Sequence, residues 1–172
     1  MKRFLFIILI VLAASVSLAA EDSFWLNTGL NFFPGLIYDR NWDPGYSSSA
    51  ASISLAAEKD SFVFEAGLET GYSDKGFNLL LPLKAGMIIS HSEKLNISSF
   101  ASVMPGLMLN RPSPFFLFAA ELAAKISWLV SDDFTLSFSI GPRYTTSPDY
   151  SREVAPLEMI DLNIGISSGF RL

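Results

Sequence analysis

The chain has 172 residues, of which 50% are hydrophobic, 17% are charged and none is cysteine. This length fits one domain. The lack of cysteine excludes a disulfide scaffold, a cysteine-ligated zinc site and a thiol nucleophile. Soluble domains carry roughly 25% charged residues, so the low charge argues against an ordinary soluble surface.

The N-terminus has the organisation of a secretory signal peptide. The basic residues Lys2 and Arg3 precede an apolar run from Phe4 to Leu12, and the small residues Ser17 and Ala19 follow at the two positions that a signal peptidase reads. We expect cleavage after Ala19 or Ala20, with residues 1–20 as signal peptide and residues 21–172 as the mature domain. The alternative is an uncleaved membrane anchor, for which the apolar core is short.

Removal of this segment leaves 10 basic and 17 acidic residues, a net charge of −7. This acidic balance argues against a nucleic-acid partner. We also expect no transmembrane helix in the mature domain. Its best apolar run, Leu79 to Ile89, is broken by Pro82 and Lys84.

The mature domain alternates apolar with small or polar residues at a period of two, which is typical of β-strands. Taken in chain order, the alternating segments are Phe24 to Ile37, Ser49 to Glu58, Phe62 to Tyr72, Phe77 to Ile89, Leu95 to Leu107, Phe116 to Val130, Phe134 to Tyr144 and Ile160 to Leu172. The segment Phe116 to Val130 is also compatible with a helix, because Glu121 and Lys125 are four residues apart. We predict a strand there, since it completes an even count of eight.

The connections between these segments alternate in length. Tight turns are predicted near Lys59, His91 and Asp132, whereas the linkers Asp39 to Ser48, Asn110 to Pro114 and Thr145 to Pro156 are longer. Tyr72 to Gly76 is a shorter member of the second group. Tight turns at one end and loops at the other indicate a closed up-and-down barrel.

Alternation alone does not show which face of the barrel points outward, and a soluble barrel would have its apolar face inside. Two observations favour an apolar exterior. The polar face carries few charges, and aromatic residues collect at both ends of the apolar face. Those at the tight-turn end are Phe24, Phe62, Trp128, Phe134 and Phe170, and those at the loop end are Tyr72, Phe77, Phe116 and Tyr144. The sequence therefore predicts an all-β, eight-stranded antiparallel transmembrane barrel.

The export signal, the eight segments and the final strand resemble the small bacterial outer-membrane β-barrels of the OmpA and OmpX type. The resemblance implies an outer-membrane location, with periplasmic tight turns and extracellular loops. The partners it implies are outer-membrane lipids, periplasmic chaperones and the barrel-assembly machinery. That machinery would read Ile164, Ile166, Phe170 and Leu172 as an assembly signal, although Leu172 stands where Phe is usual and Ser168 interrupts the series.

Eight charged residues on the inward face form a balanced set of four acids and four bases. They are Glu65, Glu69, Glu121, Asp161, Lys84, Lys125, Arg143 and Arg171. Since unpaired charge is costly in a narrow lumen, we predict two clusters. One is Glu121, Arg143 and Asp161, and the other joins Glu65 and Glu69 to Lys84, with Lys125 as a further candidate. A packed plug of ion pairs is the main interpretation, and a gated ion path is the alternative.

Catalytic and metal-binding constellations are scarce. His91, Ser92 and Glu93 contain the residue types of a triad, but three consecutive residues in a tight turn cannot align for catalysis. Glu65 and Glu69 could form an acid–base pair, although ion pairing with Lys84 is the favoured use. Loop carboxylates such as Asp39 and Asp149 do not form a recognisable Ca²⁺ loop. We expect no catalytic residue, no metal and no cofactor.

Residues typical of binding hot spots lie in two of the longer loops, namely Arg40, Trp42, Tyr46, Tyr150 and Arg152. We interpret them as candidates for recognition of an extracellular partner, with capping of the barrel mouth as the alternative. The predicted function is structural or surface recognition by a barrel with a plugged interior. The alternatives are a narrow channel or carrier, a lipid-A-modifying barrel enzyme and a soluble periplasmic ligand-binding barrel.

Overall fold

The computed structural model describes residues 23–34, 38–39, 48–73, 76–109, 114–147 and 158–172, and these ranges are almost entirely β-strand. Eight strands form the sheet: β1 Ser23–Phe33, β2 Ser48–Lys59, β3 Phe62–Ser73, β4 in two pieces Gly76–Leu80 and Leu83–His91, β5 Leu95–Leu109, β6 Phe115–Ser131, β7 Phe134–Thr146 and β8 Glu158–Arg171. A two-residue strand, Tyr38–Asp39, pairs with the start of β8. The strand predicted over Phe116 to Val130 is therefore confirmed.

Each strand pairs antiparallel with the next one along the chain, and the last strand pairs with the first. The closing register places Leu30 opposite Ile166 and Trp25 opposite Arg171. Closure removes the two sheet edges that would otherwise carry unpaired backbone groups. The predicted eight-stranded, up-and-down antiparallel barrel is thus confirmed.

Proline interrupts β4 without changing its register. Pro82 has no N–H to donate, and the strand is broken at Leu81 and Pro82. The carbonyl of Pro82 still accepts a hydrogen bond from Gly67 N at 3.0 Å, and Leu81 N donates to Pro105 O at 2.9 Å. The two pieces therefore act as one barrel strand.

Three tight turns, at residues 60–61, 92–94 and 132–133, connect strands at one end of the barrel. Asp60 has a φ of 53°, and two-residue hairpin turns of types I′ and II′ need a positive φ at their first central residue. In the second turn, the Ser92 hydroxyl donates to Leu95 O at 3.1 Å. The predicted signal peptide and most of the longer linkers, at positions 40–47, 74–75, 110–113 and 148–157, lie outside the described residues.

The outer surface of the barrel is apolar. Large hydrophobic side chains are exposed on strands all around it, including Leu30 at 68%, Leu122 at 64% and Ile166 at 63%. The outward hydroxyls of Thr28 and Ser168 lie 3.0 Å apart and form a hydrogen bond. Ser168, which interrupts the apolar series of the last strand, therefore has a polar partner on the outer face. The apolar-out arrangement is the one that separates a membrane barrel from a soluble one.

The interior is layered rather than uniformly polar. Towards the loop end it holds an apolar cluster, and towards the turn end it holds a second one packed against Ile88 and Leu129. The loop-side cluster consists of Leu80, Met104, Met108, Leu117 and Ala119, and the turn-side cluster consists of Trp25, Ala56, Val63 and Phe100. Buried charged side chains lie in the interior together with buried Asn and Ser side chains. No helix among the described residues is long and apolar enough to cross a membrane.

Candidate functional site

Arg143 is the centre of the buried charge network in the lumen. Its Nε donates to Glu121 Oε2 at 2.7 Å, and its Nη1 and Nη2 donate to Glu69 Oε1 and Oε2 at 2.6 and 3.1 Å. Glu69 and Glu121 are 3% and 8% exposed and Arg143 is 5% exposed, so all three are shielded from bulk water. The fork of the guanidinium suits this task, because it presents several donors in fixed directions.

Two side-chain amides donate further hydrogen bonds to these carboxylates. Asn31 Nδ2 donates to Glu69 Oε2 and Asn163 Nδ2 donates to Glu121 Oε2, each at 2.9 Å. Glu121, Arg143 and Asp161 also stand in one register row across β6, β7 and β8, and Asp161 is buried. We call Arg143, Glu69, Glu121, Asn31 and Asn163 the Arg143 cluster.

A second ion pair joins β3 to β4 within the same lumen. Lys84 Nζ lies 2.7 Å from Glu65 Oε1, and the two residues are register partners. Ser54 donates a further hydrogen bond to the same oxygen at 2.8 Å. The pair therefore anchors two neighbouring strands.

The structure corrects three of the predicted placements. Glu69 contacts Arg143 from across the lumen, whereas we predicted that it would join Lys84. Lys125 borders the same cavity as Glu65 and interacts with it electrostatically, but it lies over the Phe100 ring, 5.6 Å from the centroid, and makes no direct ion pair with the described residues. Arg171 is exposed, because it ends the last strand at the turn-side rim where the interior opens to solvent. The balanced set of four acids and four bases is not reproduced inside the barrel.

Phe33 is a partner of the network that sequence reasoning missed. The guanidinium carbon of Arg143 lies 4.5 Å from the centroid of the Phe33 ring, which is 5% exposed. A cation over an aromatic face gains electrostatic stabilisation, more so when it is desolvated. The alternation could have revealed it, because Phe33 and Asn31 are two residues apart on β1 and so share its inward face.

Free space in the lumen is divided into small cavities. A central cavity of about 40 Å³ is lined by residues that include Glu65, Lys84 and Glu121. A turn-side cavity, also of about 40 Å³, is lined by residues that include Trp25 and Thr135, and both cavities border Lys125. Each has room for about three water molecules. The space suits water or a small ion rather than an organic solute.

Two residues of the apparent triad, His91 and Ser92, form hydrogen bonds within their own hairpin. His91 Nδ1 lies 2.6 Å from Asn96 Oδ1, and the hydroxyl and backbone nitrogen of Ser92 hydrogen-bond with Leu95. These contacts stabilise the hairpin. Within the described ranges, no group of three or more His, Asp or Glu side chains is arranged to hold a metal ion.

The remaining predicted residues divide into two groups. The candidate recognition residues Arg40, Trp42, Tyr46, Tyr150 and Arg152 lie outside the described residues. The residues of the implied assembly signal are on β8, where Ile166, Phe170 and Leu172 are 63%, 49% and 73% exposed. The ring of Phe170 packs tilted against Phe134 at the turn end, with centroids 4.9 Å apart.

Comparison with known proteins identifies the fold. No protein-family model and no curated protein sequence matches the chain. Among solved structures, the crystal structure of Neisserial surface protein A is similar, with a TM-score of 0.59, 12% identity, and coverage of 87% of this chain and 96% of that one. A structure described as a de novo design of transmembrane β-barrels matches with a TM-score of 0.40, 11% identity, and coverage of 87% and 95%.

The first of these similarities establishes the fold and nothing beyond it. The resemblance to small eight-stranded outer-membrane barrels is therefore confirmed at the level of architecture.

Proposed function

We propose that this chain is an outer-membrane β-barrel with a closed lumen, whose role is structural or one of surface recognition through its longer loops. The observation that carries the proposal is the inverted polarity of the barrel. Exposed apolar side chains cover its outer face, while Glu65, Glu69, Glu121, Arg143 and Asp161 are buried inside. Water is a poor solvent for such an exterior, and a bilayer is a good one.

The dimensions of the strands support a membrane location. A tilted transmembrane strand needs about 9–11 residues, and the uninterrupted strands have between 11 and 17. Exposed aromatic residues near the strand ends fit the two interfaces of a bilayer. Trp128 and Phe62 are 55% and 52% exposed at the turn end, and Tyr72 is 67% exposed at the loop end.

The packing of the lumen supports a closed barrel rather than a channel. Arg143 ties β3 to β6 across the interior through Glu69 and Glu121. Met104 and Leu117, with 0% and 1% exposure, fill the space on the loop side of this cluster. An eight-stranded barrel is just wide enough for its own side chains, so these contacts support a closed lumen.

Residues of the longer loops are the candidates for recognition. Arg40, Trp42 and Tyr46 stand in one loop segment, and Tyr150 and Arg152 stand in another. The strands that these segments join, β1 to β2 and β7 to β8, are adjacent because β1 pairs with β8. Both loop segments therefore start from the same side of the barrel mouth. This proximity supports a shared binding surface.

Single-cysteine labelling tests the location and the orientation, because the natural chain has no cysteine. In intact cells, a membrane-impermeant maleimide should label Ser151→Cys in a loop and should not label Asp132→Cys in a tight turn. Both variants should react once the cells are permeabilised. Labelling of the turn variant in intact cells would reverse the orientation, and recovery of the protein in the soluble fraction would overturn the membrane location.

Two further measurements test the role. The refolded protein should be silent in planar-bilayer recordings, and a steady conductance would contradict the closed lumen. Recognition predicts that Trp42→Ala leaves the free energy of unfolding within about 0.5 kcal/mol of the natural chain. A loss of more than about 1.5 kcal/mol would instead indicate that Trp42 packs against the barrel.

A further inference from the structure

The turn-side cavity has several hydrogen-bond donors among its lining residues. It has a volume of about 40 Å³, and its polar lining includes Trp25, Asn27, Ser98, Lys125, Ser127 and Thr135. Glu58 is the one carboxylate among the lining residues. Its Oε2 accepts a hydrogen bond from Ser23 Oγ at 3.4 Å, so this carboxylate has a partner on β1. The cavity is therefore a polar chamber at the border of the turn-side apolar cluster.

Trp25 offers this chamber a donor that the protein leaves unused. The residue is 7% exposed, and its Nε1 has no hydrogen-bond acceptor among the described residues. An indole N–H can only donate, and a buried donor without an acceptor costs about 1–3 kcal/mol. A ligand that accepts this hydrogen bond would recover that cost.

Lys125 supplies a positive charge to the same cavity. Unlike Lys84 and Arg143, it forms no ion pair with a described carboxylate. Glu65 is already held by Lys84 and Ser54, which satisfies its charge within the central cavity. The ring of Phe100 gives Lys125 a weak partner only, with the ammonium 5.6 Å from the ring centroid.

We propose that the turn-side cavity binds a small inorganic anion of halide size between Lys125 and Trp25. Water alone would satisfy the indole N–H, whereas an anion would also pair with the Lys125 ammonium, whose neighbouring carboxylates, Glu65 and Glu58, already have other partners. A metal cation is disfavoured, because the ammonium and the indole N–H both present positive hydrogens. The volume admits a halide with one or two waters. The site does not depend on the proposed surface role.

Fluorescence of Trp25 reports binding directly. The chain has three tryptophans, so Trp42→Phe and Trp128→Phe together leave Trp25 as the sole tryptophan. This background is refolded in detergent and titrated with sodium bromide at constant ionic strength, with sodium sulfate as the balancing salt. We expect saturable quenching that added chloride reverses by competition. A buried indole otherwise gives only weak, non-saturating collisional quenching.

Matched lysine variants test the assignment of the site. Lys125→Met should weaken the bromide binding constant by about tenfold or more, because a charge-assisted hydrogen bond is lost. Lys94→Met, in an exposed turn, should leave it unchanged. If Lys125→Met does not refold, Lys125→Gln takes its place. Linear quenching without saturation, or saturation that survives the loss of the Lys125 charge, would overturn the proposal.

Discussion

Replacement of Arg143 by methionine should be among the most destabilising single changes in the barrel. Arg143 donates three hydrogen bonds to two carboxylates, at 2.6, 2.7 and 3.1 Å. Bonds between charged groups contribute roughly 1.5–3 kcal/mol each, and breaking one buried ion pair costs about 3–5 kcal/mol. Methionine preserves part of the apolar stem but leaves Glu69 and Glu121 without a counter-charge. We therefore expect a loss of about 5 kcal/mol in the free energy of unfolding.

Urea unfolding of the refolded protein in lipid vesicles, followed by tryptophan fluorescence, measures this loss. A rescue variant separates the missing charge from the missing volume. Adding Glu69→Gln and Glu121→Gln to Arg143→Met removes the stranded charges, and we expect it to recover at least half of the loss. Arg171→Met is the matched control, because Arg171 is exposed at the rim, and should change stability by at most about 0.5 kcal/mol.

Two results would refute this reasoning. A loss below about 1 kcal/mol for Arg143→Met would mean that the Arg143 cluster does not hold the barrel together. A triple variant no more stable than Arg143→Met would mean that shape, rather than charge, dominates the effect.

Three further predictions concern the outer face, the core and one close contact. Leu122 faces outward at the middle of a strand, so Leu122→Arg should lower the free energy of unfolding in a bilayer by about 2–4 kcal/mol. Val130 faces outward beside a turn, so Val130→Arg should lower it by at most about 1 kcal/mol. Equal losses for the two variants would contradict the membrane position. Met104→Ala should cost about 2–5 kcal/mol by urea unfolding, because the side chain is fully buried. Gly141→Ala should be strongly destabilising, because a Cβ there would overlap the backbone oxygen of Leu122. Gly29→Ala should be less destabilising, because its Cβ meets contacts that start at 3.0 Å. The urea midpoints of the two variants check this difference.

The strands were predictable because their signal is local. Alternation of apolar and polar residues follows from the pleat of a single strand, and it needs no knowledge of the neighbours. This is why β6 was predicted despite its alanine content and the helical spacing of Glu121 and Lys125. Strand order also followed, since tight turns force consecutive strands to pair.

Contacts between neighbouring strands were partly predictable for the same reason. When a short connection joins two strands, its length and the alternation together fix which residues of the two strands can face each other. Lys84 was expected near Glu65, and Arg143 near Glu121, because each pair lies on adjacent strands. In both cases the structure places the two residues as direct register partners.

Contacts across the lumen were not predictable from the sequence. Glu69 and Arg143 are 74 residues apart and lie on strands that are not neighbours. Their distance depends on the tilt and stagger with which the barrel closes, which no single strand encodes. The position of Phe33 beneath Arg143 depends on the same closure.

The inward apolar residues show a different limit. Phe100, Met104 and Met108 share the inward face of β5 with Ser98 and Ser102, so the alternation would have placed them in the lumen, but we did not single them out. The apolar outer face was the stronger pattern, and it led us to describe the inner face as polar. Both faces of a strand carry information when the lumen is too narrow to hold bulk water.

The layered lumen follows from two constraints acting together. The outer face must be apolar, so any charge on a strand must point inward, where an eight-stranded barrel has room for side chains but little for solvent. Such charges are tolerable only when each is held by partners, as Glu69 and Glu121 are by Arg143. Apolar clusters on both sides exclude water and so strengthen these contacts. The same exclusion makes any unpaired group, such as the Trp25 indole, a place where a ligand can gain binding energy.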